Sequence, residues 1–563
     1  MADLTANLDI EQFCCSAVAA AEDGTLLRWF CEEGYNSAHN HFGEVCNCLT
    51  DFHNKGRIDF FDCLLNGELA ALERKHFWTI HILFNAAAPK MNTNADKLMT
   101  AVILLVNNAG RDGLADQPKC TFKEWLKRRP DETRELLDQL LEPTSENTGL
   151  LTSVLEAGAS HDLACYHKAA VVALSDCRDS VRSSAIAALS RIDPTENIDC
   201  HLRGLDALCQ QIRKSDTERE IALAVAALLD VYARVPGRER ESVMEAVKSA
   251  VAKESPELQC HLAGALISHH KALSKDLQTI IIEALGRADP SNKVIVKQID
   301  LAFFSCLSED NREAIADCLQ ALLSHPEAPL SFSDFYFFLD RITSEMPEVT
   351  GWLVLRWLRF GNHHARQSLP ILTDRYRWHN CKLDFPVDLF GFSDEELTFV
   401  CRKALGYFVL EAETAASILV ACLQSASSDK AANEITDLIF DPLMINFSGQ
   451  ARKLVECKAV KGTPRLAELK LALKKHDEYI DGLKSVSEVP ELWPSPSNST
   501  GAAAASTKEI CKILEGSRVQ VNVHKYSYPA NTALRVGVDQ LPIHGIRHAA
   551  QNRISPWEIQ NID

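Results

Sequence analysis

The sequence predicts an all-α protein built from stacked pairs of helices. Only 24 Gly and 21 Pro occur in 563 residues, so long segments run without helix breakers. An Ala-rich motif also recurs, because Ala224–Leu228 repeats Ala185–Leu189 after 39 residues and Leu262–Leu266 follows after another 38. The apolar residues of these segments recur at helical spacing. These observations together indicate repeated helical units.

The first region, residues 1–160, is predicted to be helical but shows no regular repeat. Its apolar residues recur at helical spacing over six segments. The candidate helices run from Ile10 to Ala21, Ile58 to Leu72, Phe77 to Phe84, Ala95 to Val106, Phe122 to Arg129 and Glu132 to Leu141. The pattern does not decide between degenerate repeats and a separate helical region.

The second region, residues 161–326, contains the recurring motif. Ala185 and Ala188 share one helical face, and their small side chains would let a neighbouring helix approach closely. Asp179 and Ser180 are expected to cap the start of that helix. Between successive motifs lies a second helical run, so each unit of about 40 residues is predicted to hold two helices. These second runs are Gly204–Ile212, Val243–Val251 and Leu277–Leu285.

The first of these motifs resembles the helix motif of the HEAT-repeat family. The residues that carry the resemblance are Asp179, Val181, Arg182, Ala185, Ala188 and Leu189. The next two units lack the Val-Arg pair, so the resemblance is partial there, and it covers about residues 163–325 in all. It implies a stacked α-solenoid and no particular chemistry. The alternative is an Ala-rich helical bundle whose repeat spacing is accidental.

The third region, residues 327–484, is predicted to be helical, rich in aromatic residues and rich in arginine. Its aromatic side chains are expected to form a bulkier core than that of the Ala-rich repeats. These aromatic residues are Phe332, Phe335, Phe337, Phe338, Trp352, Trp357 and Phe360.

Composition changes after residue 484. Residues 485–507 are rich in Pro, Ser and Ala, which is typical of a flexible linker. In the tail, residues 508–563, alternating Val519, Val521 and Val523 predict a strand, and Ala533–Val538 could return as a second strand. Because a lone hairpin is marginally stable in water, we expect this tail to act as a docking element.

Composition and charge exclude several classes of protein. Hydrophobic residues make up 46% and charged residues 24%, as in ordinary globular proteins. The formal charge of -18 disfavours a general nucleic-acid coat. Neither a signal peptide nor an apolar run of membrane-spanning length is apparent, so no membrane association is expected. The 19 cysteines are scattered through helical runs, which favours reduced, buried thiols in a cytoplasmic protein.

Motifs of common catalytic and metal sites are missing from the sequence. It has no Walker A, G-x-G-x-x-G, G-x-S-x-G, H-E-x-x-H or C-x-x-C motif, and we expect no cofactor. The densest group of metal-ligand residue types contains Cys31, His39, His41, Cys46, Cys48, His53 and Cys63. Its spacing does not match the paired ligands of common zinc sites, so we assign no metal ligands.

One short segment is strongly basic. Residues 351–382 hold six basic residues against one acidic residue, with aromatic residues among them. Arginines beside aromatic rings could contact phosphates and stack on bases. The alternative is that they lie at the rim of a helical core or pair with acidic repeats. The candidate anion or nucleic-acid contacts are Arg356, Arg359, Arg366, Arg375 and Arg377.

The sequence therefore predicts a non-enzymatic scaffold or adaptor that presents a helical-repeat surface to a protein partner. The alternative is a nucleic-acid-binding protein that uses segment 351–382. A third hypothesis is an enzyme of unfamiliar type, with a site around His363, His364 and His379.

Overall fold

A computed structural model describes most of the chain as far as residue 487. The described residues are 10–34, 42–110, 114–145, 147–193, 197–235, 237, 240–326, 330–378, 383–408 and 411–487. Every regular element in these ranges is helical, which confirms the all-α prediction for this part of the chain. The chain divides into two compact units, Met1–Ala288 and Asp289–Asp563.

The first unit contains helices α1 to α17. Shorter π or 3₁₀ turns lie at Phe30–Gly34, Ala88–Lys90 and Thr148–Leu150. The α-helices are α1 (Ile10–Glu22), α2 (Leu26–Trp29), α3 (Phe42–Asn54), α4 (Phe60–Leu65), α5 (Glu68–Ala71), α6 (Arg74–Ala87), α7 (Ala95–Ala109), α8 (Gln117–Leu126), α9 (Pro130–Leu141), α10 (Leu151–Ala159), α11 (Leu163–Ala173), α12 (Asp179–Arg191), α13 (Ile198–Lys214), α14 (Glu218–Arg234), α15 (Arg240–Val251), α16 (Pro256–His269) and α17 (Lys275–Leu285).

Alternate helices of this unit pack side by side. Helices α8, α10, α12, α14 and α16 contact one another in that order, and we name them the α8–α16 row. Helices α11, α13, α15 and α17 form a second row in the same way. Consecutive helices, such as α13 and α14, pack across the two rows. A helix therefore contacts both its neighbour in the chain and the helix after that neighbour.

Small residues of the recurring motif are buried on a helix of the α8–α16 row. Ala185 and Ala188 on α12 are fully buried, as the helical pattern predicts. The expected N-cap is not formed, because α12 begins at Asp179 itself. The Asp179 carboxylate instead accepts a hydrogen bond from Arg182 at 2.5 Å, and the Ser180 hydroxyl accepts one from Thr148 at 2.7 Å.

The second unit contains helices α18 to α28. Shorter π or 3₁₀ turns lie at Phe332–Asp334, Val387–Leu389 and Ile439–Met444. The α-helices are α18 (Lys293–Cys306), α19 (Arg312–Leu323), α20 (Tyr336–Ser344), α21 (Pro347–Phe360), α22 (His363–Gln367), α23 (Leu369–Trp378), α24 (Asp394–Tyr407), α25 (Ala412–Ser425), α26 (Asp429–Leu438), α27 (Gln450–Lys458) and α28 (Leu466–Ser487).

Packing between alternate helices recurs in the second unit, where α18 contacts α20, α24 contacts α26, α25 contacts α27 and α26 contacts α28. Its core is aromatic, as predicted for Phe332, Phe335, Phe338, Trp352 and Trp357, which are all buried. The prediction was wrong for two aromatic residues. Phe337 is 37% exposed and Phe360 is 52% exposed.

Long-range polar contacts have a characteristic spacing along the chain. Side-chain hydrogen bonds between distant described residues cluster at separations of 32 to 45 residues. The spacing occurs near both ends of the described chain, as Lys97 with Asp59 and Lys475 with Asp437 are both 38 residues apart. Such bonds join elements that are not consecutive in the chain.

The C-terminal predictions fall mostly beyond the described part of the chain. Helix α28 includes residues 485–487, whereas the rest of the predicted linker and the predicted strands of 508–563 lie outside the described residues. Among the described helices, none combines the length and the apolar character required to cross a bilayer.

Candidate functional site

A polar groove lies along the α8–α16 row. It encloses about 750 Å³ and is open to solvent. All of its residues belong to the first unit. The lining residues are Lys123, Glu156, Ser190, Arg191, Ala226, Asp230, Ala233, Arg234, His261 and His269. Every helix of the row contributes at least one of them, so side-by-side packing of these helices creates the groove.

One wall of the groove is an ion-paired cluster. The Glu156 carboxylate on α10 is 2.8 Å from Nζ of Lys123 on α8 and 3.3 Å from Nη1 of Arg191 on α12. Only 8% of the Glu156 side chain is exposed. Burial disfavours the charged form of Lys123, but the hydrogen bond to Glu156 and the charge of Glu156 together outweigh it and raise the lysine pKa. Lys123 is therefore charged at neutral pH.

The opposite wall combines an arginine with a histidine–carboxylate pair. Arg234 on α14 donates to the carbonyl oxygens of Ile192, at 2.6 Å, and Ser190, and these lie at the end of α12. Nε2 of His269 on α16 lies 2.8 Å from Oδ1 of Asp230 on α14. These contacts tie α12, α14 and α16 together through the groove lining.

The groove carries an excess of positive charge. Its permanent cations are Lys123, Arg191 and Arg234, against the two carboxylates of Glu156 and Asp230. The chain as a whole has a formal charge of -18. The groove can therefore offer hydrogen-bond donors to an acidic group that the rest of the chain would repel.

The sequence analysis missed this groove, because its charged residues come from five separate helices. A signal was nevertheless present. Arg191, Asp230 and His269 are spaced 39 residues apart, which is also the spacing between the first two Ala-rich motifs. Applying the repeat period to charged residues would have placed these three side chains on one face.

The predicted contact Arg356 has acidic partners within its own unit. It is paired with Glu313 and lies 2.6 Å from the Asp317 carboxylate. Its guanidinium also lies 5.6 Å from the centre of the Trp352 ring. Both carboxylates come from α19, so Arg356 joins α19 to α21.

Arg359 and Arg366 also have acceptors within the second unit. Arg359 is 2.9 Å from Glu396 on α24. Arg366 is buried, and its Nε donates to the carbonyl oxygen of Trp357 at 3.1 Å. Burial lowers the pKa of Arg366. Each of these arginines therefore has hydrogen-bond or ion-pair acceptors within the protein, which is expected of arginines that stabilise the fold.

The remaining predicted contacts are only partly covered by the structure. Helix α23 includes Arg375 and Arg377, but their side chains lie outside the described residues, as does His379. His363 and His364 are neighbours on α22, and Nε2 of His363 lies 2.7 Å from the Gln367 amide nitrogen. The hypothesis of an enzyme site at these histidines stays a prediction.

The N-terminal Cys/His group is described only in part, because His39 and His41 lie outside the described residues. Burial raises the pKa of Cys31 to about 12 and the pKa values of Cys46 and Cys63 to about 11. Both ring nitrogens of His53 have partners, the carbonyl oxygen of Asn92 and the amide of Phe60. Among the described side chains, no three metal-ligating groups converge on one point.

Among the cysteines expected to be buried in apolar helical runs, Cys209, Cys318 and Cys422 are buried free thiols, whereas Cys260 is only half-buried. The expectation of burial is wrong for the exposed thiols of Cys15, Cys120, Cys165, Cys177 and Cys457. Cys48 on α3 differs from the expected reduced state, because it is disulfide-bonded.

Comparisons with known proteins leave the family open. No family model matches the chain, and no curated protein is significantly similar to it. A solved structure described as an engineered protein is 15% identical, covers 69% of this chain and 97% of its own, and has a TM-score of 0.33. A likeness at that level carries no argument about fold or function.

Proposed function

We propose that this protein is a HEAT-like helical-repeat scaffold that binds a protein partner through the groove of the α8–α16 row. The groove carries the proposal, because its lining is contributed by every helix of that row. Extended surfaces made by stacked helix pairs are the usual binding surfaces of solenoid proteins. A cytoplasmic location is part of the same proposal.

The repeat architecture is supported by the packing within each unit. Alternate helices are neighbours, and the long-range polar contacts cluster at separations of 32 to 45 residues. HEAT and armadillo repeats have a period of about 40–47 residues. Because the same spacing joins Lys97 to Asp59 and Lys475 to Asp437, we propose that the regions 1–160 and 327–484 are also built from repeats.

The contacts that the arginines make within the second unit favour protein binding over nucleic-acid binding. Contact with phosphates requires cations that can exchange their partners for the ligand. Arg356, Arg359 and Arg366 each have acceptors inside the second unit. The nucleic-acid hypothesis stays a prediction, and salt-dependent retention of the intact protein on a DNA column tests it.

Affinity capture with the intact chain tests the proposed function. Arg191→Glu reverses a charge on the groove, where the Arg191 side chain is 59% exposed and 3.3 Å from Glu156. Arg213→Glu is the matched control, because Arg213 is 46% exposed and 3.5 Å from Glu245, away from the groove lining. We expect a protein that wild type and Arg213→Glu retain and Arg191→Glu loses.

Two results would contradict the proposal. Equal recovery of the same proteins by all three chains would show that the groove is not the binding surface. Recovery of no protein, together with turnover of a small molecule by the purified chain, would replace a scaffold with an enzyme.

A further inference from the structure

Arg191 offers hydrogen-bond donors at the open side of the groove. A guanidinium carries five N–H donors, and its planar shape matches a carboxylate. One contact of Arg191, to Glu156, measures 3.3 Å, and 59% of the side chain is exposed. An incoming carboxylate can therefore reach Arg191 without breaking the shorter bond between Lys123 and Glu156, at 2.8 Å.

Both carboxylates of the groove already have hydrogen-bond partners within it. Glu156 lies between Lys123 and Arg191, and Asp230 is held by His269. Arg234 adds a further positive charge beside them. A negatively charged ligand would consequently meet a net attraction here, whereas a positively charged ligand would meet repulsion.

Small residues in the lining leave room for a peptide backbone. Ala226 and Ala233 on α14 are half-buried residues of the groove lining. Adjacent packed helices are about 8–10 Å apart, and an extended chain rises about 3.3 Å per residue. A strand-like segment crossing the row would thus pass one helix about every three residues.

We infer that the groove binds an extended acidic segment of a protein partner, with a carboxylate of that segment paired to Arg191. This inference rests on the proposed function and adds the chemistry of the partner. The acidic segment is recognised by its charge and by its narrow backbone, which fits over the alanines. The formal charge of -18 on the whole chain disfavours non-specific binding of acidic segments.

Fluorescence anisotropy with the intact chain tests the inference. The probe is a fluorescein-labelled peptide of four Glu-Gly-Gly units, and matched peptides carry Gln or Lys in place of Glu. We expect the Glu peptide to bind, with an affinity that falls as salt is raised from about 50 to about 300 mM. The Gln and Lys peptides are expected to bind at least about tenfold more weakly, the margin of one charge-assisted pair.

Two variants locate the contact. We expect Arg191→Gln to lower the affinity for the Glu peptide by about tenfold, and Arg191→Glu to lower it by more than about tenfold. The affinity of Arg213→Glu for the same peptide is expected to stay within about twofold of wild type. Circular dichroism melting curves check that each variant is folded, and the milder Arg191→Gln keeps the test valid if the charge reversal unfolds the chain.

Equal binding of the Glu and Gln peptides would overturn the inference, as would unchanged affinity in both Arg191 variants or no binding of the Glu peptide at millimolar concentration. These failures are distinct from failure of the proposed function. A partner captured in an Arg191-dependent manner would still support the scaffold, and only its acidic chemistry would be wrong.

Discussion

At the scale of single residues, the arginine of the Val-Arg pair joins one repeat to the next. Arg182 on α12 donates to the Glu220 carboxylate on α14 through Nε and Nη2, at 3.1 and 2.9 Å. Glu220 is buried and also accepts a hydrogen bond from Gln211. Burial would raise the Glu220 pKa, but hydrogen bonds from Arg182 and Gln211 outweigh it and lower the pKa.

Replacing this arginine is expected to destabilise the first unit. Arg182→Ala leaves a buried carboxylate without its cation, which costs about 3 kcal/mol of unfolding free energy. Urea denaturation followed by circular dichroism measures the change. Arg213→Ala, which removes an exposed pair, is expected to cost less than about 0.5 kcal/mol. An equal loss of unfolding free energy in the two variants would show that the contact between Arg182 and Glu220 stabilises the protein no more than an exposed ion pair does.

A buried histidine makes stability depend on pH. His167 on α11 is buried, and a Cβ at Gly204 on α13 would lie only 3.0 Å from its Nε2. Burial, followed by the charges of Arg203 and His201, lowers the His167 pKa to about 4. The unfolded chain has a histidine pKa of about 6.5, so the native state binds fewer protons between these values.

Stability is therefore expected to fall as pH drops from about 6.5 to about 4, by about 3 kcal/mol from this residue. Urea denaturation at several pH values measures the slope. His167→Gln is expected to flatten the slope, whereas His161→Gln, which changes an exposed histidine, keeps the wild-type profile. If the unfolding free energies of wild type and His167→Gln depended on pH in the same way, burial of His167 would not be the cause of the pH dependence.

At the scale of elements, a buried carboxylate caps a helix of the following repeat. Asp300 on α18 is 2% exposed and accepts the backbone N–H groups of Phe337 and Phe338, at 3.0 and 2.8 Å. Burial raises the Asp300 pKa, although the two backbone hydrogen bonds oppose the rise. The start of α20 is thus satisfied by a residue 37 to 38 positions earlier in the chain.

Removing this cap is expected to loosen α20. Asp300→Ala leaves two N–H groups without their acceptor and costs about 2 kcal/mol. Hydrogen–deuterium exchange followed by mass spectrometry should show faster exchange in peptides covering α20. Asp340→Ala, which removes a half-buried carboxylate on the same helix, is the control. Unchanged exchange in Asp300→Ala would mean that the cap does not hold α20.

These contacts explain how far the sequence could predict the elements. Ala185 and Ala188 pack at helical spacing in an Ala-rich motif, so the helices around them follow from the pattern. Outside 163–325 the spacing is kept by polar contacts such as those of Lys97 with Asp59 and of Lys475 with Asp437. Polar contacts leave no periodic pattern of apolar residues in the sequence. The regions flanking the Ala-rich motifs therefore appeared aperiodic.

The candidate site was harder to predict for a related reason. Clustering of arginines in the sequence pointed to Arg356 and Arg359, which have carboxylate partners on neighbouring helices of the second unit. The groove instead gathers residues 33 to 39 positions apart, such as Arg191 and His269 with their carboxylate partners. Stacking brings these side chains together, and no short sequence motif marks them.

At the scale of the whole molecule, the protein contains two compact units with separate features. The first unit holds the groove with its positive excess, and the second unit holds the paired arginines of the predicted nucleic-acid contact. On a chain with a formal charge of -18, a groove with a positive excess can select acidic segments by their charge. This arrangement fits a scaffold that selects its partner by charge.

Hydrogen–deuterium exchange of the intact chain, with and without a partner recovered by affinity capture, tests the central claim most directly. Protection is expected in peptides covering α12, α14 and α16, whose side chains line the groove, and it should disappear in Arg191→Glu but persist in Arg213→Glu. Protection confined to helices of the second unit, or persisting unchanged in Arg191→Glu, would contradict the claim that this groove is the binding surface.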